Sequence, residues 1–189
     1  MASTDTATRI LDIAERLVQT RGFNGFSYAD IAGDLGITKA ALHYHFAGKA
    51  ELGGALIERY TTRFGERLAE IDASGADAPA KLAEYADIYA SVLRDRRMCL
   101  CGMLAAEYET LPAPMREAIL RFFDESETWL VGVLEEGVAA GSLRLPGPAA
   151  GEARAIVDGL EGALLVARPF GDVERFEATA ERLLSRLAA

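Results

Sequence analysis

Apolar side chains recur along this chain at the three- and four-residue spacing of a helix face, and no stretch alternates strictly between apolar and polar. The tightest version of that pattern runs from Ser27 to Phe46, SYADIAGDLGITKAALHYHF. Ser27 reads as an N-cap with Asp30 as its capping-box partner, and Ile31, Ala32 and Leu35 form a short apolar face behind it. Gly36 stands where a helix closes on a left-handed residue. Thr38 is a second N-cap, and the next helix turns Leu42 and Phe46 inward at i, i+4. Ala32, Gly36 and Leu42 have the spacing that two closely crossing helices require. The pattern predicts a helix-turn-helix, whose second helix is shaped to enter a DNA major groove.

Downstream, turn signals divide the chain. Ala50 to about Ile71 carries Leu52, Leu56, Tyr60, Phe64 and Leu68 on one face and stops at Asp72-Ala-Ser-Gly. A helix from Pro79 runs through Tyr85 and Tyr89 to Asp95-Arg-Arg, and Met98 to Glu109 forms another that closes at Leu111-Pro112. A long helix from Pro114 to Gly141, a Gly/Pro loop to Pro148, and two final helices over 149–167 and 172–188 complete the chain. The expected fold is all-α with nine helices: a helix-turn-helix head in residues 1–50 and a larger helical body in 51–189.

Composition agrees and adds limits. Half of the 189 residues are apolar and only six are proline, which favours helix over strand. No apolar run reaches the roughly 20 residues of a membrane span, the N-terminus MASTDTATR has no leader-like apolar segment, and two cysteines build no disulfide framework. A cytoplasmic protein without membrane contact is expected. The net charge of −9 at first argues against DNA. Residues 1–50, however, carry five basic and five acidic side chains, so the whole excess lies in 51–189. An acidic body is repelled by DNA and helps to orient a neutral head toward it.

With Leu42 and Phe46 inward, Thr38, Lys39, Ala40, His43 and Tyr44 are left on the outer face, a set rich in phosphate and base-edge donors. Tyr28, at the start of the supporting helix, and Lys49, at the start of the next, are further expected phosphate contacts. From about Thr6 to Leu56 the chain resembles the DNA-binding head of the tetracycline-repressor-like (TetR) family of transcriptional regulators. The resemblance covers the Arg21-Gly22-Phe23 exit and YADIAGDLGITKAALHYHFAGKAEL without a gap. Its most specific part is Leu42, Tyr44, His45, Phe46, Lys49 and Leu52. The family often has Tyr where this chain has His43. The resemblance implies an all-α homodimer that binds a palindromic DNA operator and is released by a small-molecule effector.

An effector pocket is expected between the helices starting at Pro79, Met98, Pro114 and Ala149. Tyr85, Tyr89, Tyr108, Phe122 and Trp129 would line it, with Met103 as an adaptable wall and Glu107 as an orienting polar group. Gly151, Ala155, Gly159 and Ala163 form a small-residue stripe suited to close helix approach. The resemblance directs that stripe to the dimer interface, with Leu183, Leu184 and Leu187 from the last helix. Met98-Cys-Leu-Cys-Gly-Met-Leu-Ala-Ala-Glu is similar to a branch of the family in which a cysteine responds to electrophiles or oxidants. This makes Cys99 or Cys101 a sensor candidate, against ordinary packing. Because residues at i and i+2 point to opposite sides of a helix, one is expected to be buried and the other to line the pocket or the surface, and the pair cannot readily chelate an ion. No catalytic set, metal cluster or cofactor motif is present, so no enzyme activity and no cofactor are expected. The competing reading is a small all-α enzyme or interaction module that uses its head for protein contacts.

Overall fold

The computed structural model describes residues 2–189. Among them are nine α-helices: α1 (Ala2–Arg21), α2 (Tyr28–Leu35), α3 (Lys39–His45), α4 (Lys49–Ala73), α5 (Ala78–Arg94), α6 (Leu100–Ala106), α7 (Ala113–Ala139), α8 (Ala149–Ala167) and α9 (Val173–Ser185). Short 3₁₀ turns follow α6 and α8. The only β pairing among the described residues is one isolated antiparallel bridge between Leu143 and Ala188.

Two compact units result, residues 1–62 with 99–120 and residues 63–98 with 121–189. These are not the expected chain-order halves, 1–50 and 51–189. The α6 segment clusters with the head because α1 packs on α6 as well as on α2. In this first unit α1 buries Ile10, Ala14, Leu17 and Val18, a stripe at i, i+4, i+7 and i+8. Ile31, Leu42, Leu52, Leu56, Leu100 and Leu104 complete its core. At α1's end Gly22 adopts φ +83°, which turns the chain toward α2.

In the second unit α5 packs on α8 and α9, and α8 packs on α9. Asp77 caps α5 by accepting from the Ala80 N–H at 3.0 Å, with Pro79 in the first turn. Tyr85, Tyr89, Phe122, Leu130, Leu134, Leu160 and Phe176 are buried there.

Two helices are shorter than their sequence patterns. The predicted helix 98–109 begins only at Leu100, because Cys99 is its extended N-cap (φ −50°, ψ 132°), and it ends at Ala106 before a 3₁₀ turn over Tyr108–Thr110. The last helix stops at Ser185 rather than 188, because the tail pairs with the loop after α7. There the Leu187 carbonyl accepts from the Arg144 N–H at 2.8 Å.

Candidate nucleic-acid interface

Helix α3, the expected DNA-contacting helix, is set by local chemistry that the sequence announces. Thr38 Oγ1 accepts from the Ala41 N–H at 3.1 Å, which caps α3. In front of α2, the Asp30 carboxylate accepts from both the Ser27 N–H (2.8 Å) and the Ser27 hydroxyl (2.7 Å). Those bonds hold the Asp30 carboxyl below the usual carboxylate range. Gly36 closes α2 at φ +66°, in the left-handed region its position demands. Arg16 of α1 pairs with Asp34 of α2 at 2.5 Å and fastens the supporting helix from behind.

Leu42 and Phe46 are buried, whereas Thr38, Lys39, Ala40, His43 and Tyr44 all lie exposed on the other side of α3. Tyr44 is 81 % exposed, far more than an aromatic ring needs for packing. The His43 ring sits 4.8 Å from the Tyr28 ring, and its Nδ1 is 3.1 Å from the Ala47 carbonyl oxygen. Because a carbonyl only accepts, Nδ1 carries the proton and Nε2 is the ring atom able to meet a base edge. The face therefore offers a hydroxyl, an ammonium, an imidazole and a phenol on a rigid, capped helix.

Two expected DNA contacts do not fit. Lys49 Nζ is turned inward: it donates to the Phe23 carbonyl and, at 2.5 Å, to the Phe26 carbonyl. It also lies over both phenyl rings, at 4.7 and 4.1 Å from their centroids. Burial pulls its pKa down, partly offset by the charges of Glu107 and Asp30. This ammonium is a structural tie between α4 and the turn after α1, not a free phosphate donor. Tyr28 is the second case. Its hydroxyl donates to the Phe46 carbonyl at 3.1 Å, so its single proton is already engaged. Burial and the nearby Glu51 charge push its pKa up to about 12.

The expected effector residues separate. Tyr85, Tyr89 and Phe122 gather around Phe64 in the second unit, and Trp129 joins them through Tyr85. Tyr85 stacks on Trp129 at 5.6 Å, Phe64 meets Phe122 edge-on at 4.9 Å, and the two tyrosine oxygens lie 3.2 Å apart. Trp129 also borders a cavity of about 400 Å³ with Asp72, Lys81, Gly132 and Glu136. Trp129 Nε1 donates to Asp72 at 2.9 Å, and buried Lys81 pairs with Asp72 and Glu136 at 3.3 and 2.8 Å. A second cavity of about 430 Å³ lies between α5 and α9, an opening that the aromatic pattern did not signal.

Met103, Glu107 and Tyr108 belong instead to the first unit. The Tyr108 ring carries the Arg116 guanidinium at 5.6 Å. Glu107 is not an orienting group in an apolar pocket: its carboxylate accepts from the Phe23 N–H (2.5 Å) and the Asn24 N–H (3.1 Å). No periodicity could have revealed this, since the partners are main-chain groups more than 80 positions away.

The dimer and thiol expectations also change. Gly159 faces Leu183 of the same chain, where an added Cβ would come within 2.6 Å of a leucine methyl. Leu187, in the C-terminal tail, is only 2 % exposed, and Leu184 lines the α5–α9 cavity. Gly159, Leu183 and Leu187 therefore pack within the subunit, while Leu184 stays half-buried at the cavity wall. Gly151 and Ala155 are exposed and Ala163 is half-buried. Cys99 and Cys101 are both buried, so neither lies on the surface. The opposite-sides argument from i, i+2 spacing fails because Cys99 precedes the helix as its cap. The Tyr60 hydroxyl lies 3.7 Å from Cys99 Sγ.

Comparison with known proteins fits this geometry. The family model for bacterial regulatory proteins of the tetR family matches residues 10–56. A model for the C-terminal domain of tetracyclin repressor-like proteins matches residues 78–183. A TetR-family transcriptional regulator from Agrobacterium tumefaciens superposes with a TM-score of 0.95 at 33 % identity, over 99 % of this chain and 100 % of that one. The reduced form of NemR from Escherichia coli superposes with a TM-score of 0.84 at 25 % identity, over 97 % and 98 %. The transcriptional regulator AcuR of Cereibacter sphaeroides is 28 % identical over 152 residues, 78 % of this chain and 69 % of AcuR.

Proposed function

We infer the working of this protein from one premise: the chain belongs to the TetR family of bacterial regulatory proteins and is a DNA-binding transcriptional regulator. The observation that carries the detailed reading is the exposed, polar face of α3 on a helix whose other side is locked into the core. On this reading Thr38, Lys39, Ala40 and His43 approach base edges while Lys39 and Tyr44 hold phosphates. The protein acts as a homodimer in the cytoplasm, so that two copies of α3 read half-sites one helical turn apart.

The outward face of α8 supplies a surface for that dimer. Gly151, Ala155, Gly162, Leu165 and Val166 recur at helical spacing and are exposed, and Phe170 follows at 67 % exposure. Small residues there allow close approach and the large apolar ones supply area.

Repression is relieved by a small, flat aromatic effector that engages the Tyr85–Trp129 stack from the cavity beside Trp129. Support comes from Trp129 belonging to both the buried cluster and the cavity wall. Such a ligand shifts the protein off DNA only to the extent that it binds the non-reading state better. The direct test is fluorescence anisotropy with the DNA upstream of the protein's own gene at about 150 mM salt. Specific binding that Lys39→Ala and Tyr44→Ala weaken supports the assignment, and unchanged affinity in both variants rejects it.

A further inference from the structure

The turn between α1 and α2 is gripped by charged side chains on two sides. The N–H groups of Phe23 and Asn24 go to the Glu107 carboxylate, and the Asn24 side-chain amide donates to Thr110 Oγ1 at 2.7 Å. On the opposite side, Lys49 Nζ takes the carbonyls of Phe23 and Phe26. One residue, Phe23, thus has an anion on its N–H and a cation on its C=O, an arrangement in which each charge strengthens the other's hydrogen bond. Gly22 makes room for it, because a Cβ there would sit 2.9–3.0 Å from the carboxylate. The turn leads directly into the Ser27 cap of α2, and α3 packs on α2. Its position therefore sets the position of the reading face.

We propose that Glu107, at the end of α6, is a positioning residue for operator binding: its grip on the Phe23 and Asn24 amides fixes the turn from which α2 and α3 extend. The helix-turn-helix is aimed by a side chain from the C-terminal part of the chain, more than 50 residues beyond the matched head. Linkage makes the effect reciprocal, so operator binding tightens the same two hydrogen bonds. The inference rests on operator reading through α3 and is independent of which effector the protein takes.

The test uses the full-length dimer and its upstream DNA at about 150 mM salt, with amide exchange followed at Phe23 and Asn24 with and without DNA. Glu107→Ala is expected to weaken operator binding about tenfold. Glu107→Gln is expected to weaken it less, since one oxygen still accepts while the NH₂ group opposes the second amide. In the wild type, operator slows exchange at both amides; in the variants exchange is fast and DNA does not slow it. A purely structural glutamate would lower the melting temperature without this DNA-dependent protection. Asn24→Ala, at an exposed position, is a second handle and is expected to cost about threefold in affinity. Folded variants that bind within twofold of wild type, or wild-type amides indifferent to operator, overturn the role of Glu107 alone. A wild type that binds no upstream DNA overturns the functional reading as well.

Discussion

Lys39 and Lys49 look alike in the sequence, each near the start of a helix in a DNA-reading head, yet their surroundings assign them opposite tasks. Lys39 is exposed on α3, whereas Lys49 is folded back onto two carbonyls and two rings. Lys39→Ala should lower operator affinity and reduce the slope of log K against log salt by about one unit. Lys49→Ala should leave that slope unchanged and instead cost about 1–3 kcal/mol of stability, read by urea unfolding. Tyr28 carries a pH consequence. Its folded pKa of about 12 lies above the ordinary 10, so the stabilisation it brings is complete below pH 10 and is lost as pH rises through 12. Compared with the wild type, Tyr28→Phe should lose one late-ionising phenol in an absorbance titration at high pH. The thiols are as constrained. With both cysteines buried, a maleimide should label the native protein far more slowly than the urea-unfolded chain, and equal rates would contradict this packing.

At the scale of elements, α8 carries two faces that its small-residue pattern alone does not distinguish. Gly159 meets Leu183 of α9, whereas Gly162 has open space around the position of its missing Cβ. Gly159→Leu should overpack the α8–α9 contact and destabilise the subunit by about 1–3 kcal/mol, visible as a lower melting temperature. Gly162→Leu should leave the subunit's own packing intact and weaken dimer formation, measured by sedimentation at falling concentration. The same distinction explains how much of the pattern was legible. Periodicity identifies which residues of α8 are small, but the face each presents depends on where α9 crosses. Caps were read more securely. Ser27 with Asp30, Gly36 and Thr38 act within three or four residues of themselves, so neighbouring sequence holds all the information.

For the whole molecule, the charge distribution and the fold lead to one expectation. All of the net −9 lies in residues 51–189, so residues 1–50, which carry the face expected to approach DNA, are neutral. Two chains should bind each palindromic operator, and inserting about five base pairs between the half-sites should abolish binding by rotating them to opposite sides of the helix. Titration monitored by anisotropy gives both the stoichiometry and the spacing rule.

The sequence by itself determined the helix-turn-helix, its capped boundaries, the all-α class and the outward set on α3. All of these depend on chain-neighbour chemistry, where a cap or an apolar stripe closes within one or two turns. That Lys49 and Tyr28 are spent on carbonyls, that Glu107 holds the turn after α1, and that both cysteines and Leu187 are buried emerges only from the folded chain. Each of those outcomes depends on a partner brought close by folding rather than by chain position. A lysine that finds two carbonyls and two rings is no longer a phosphate donor, and no local pattern records that they are there.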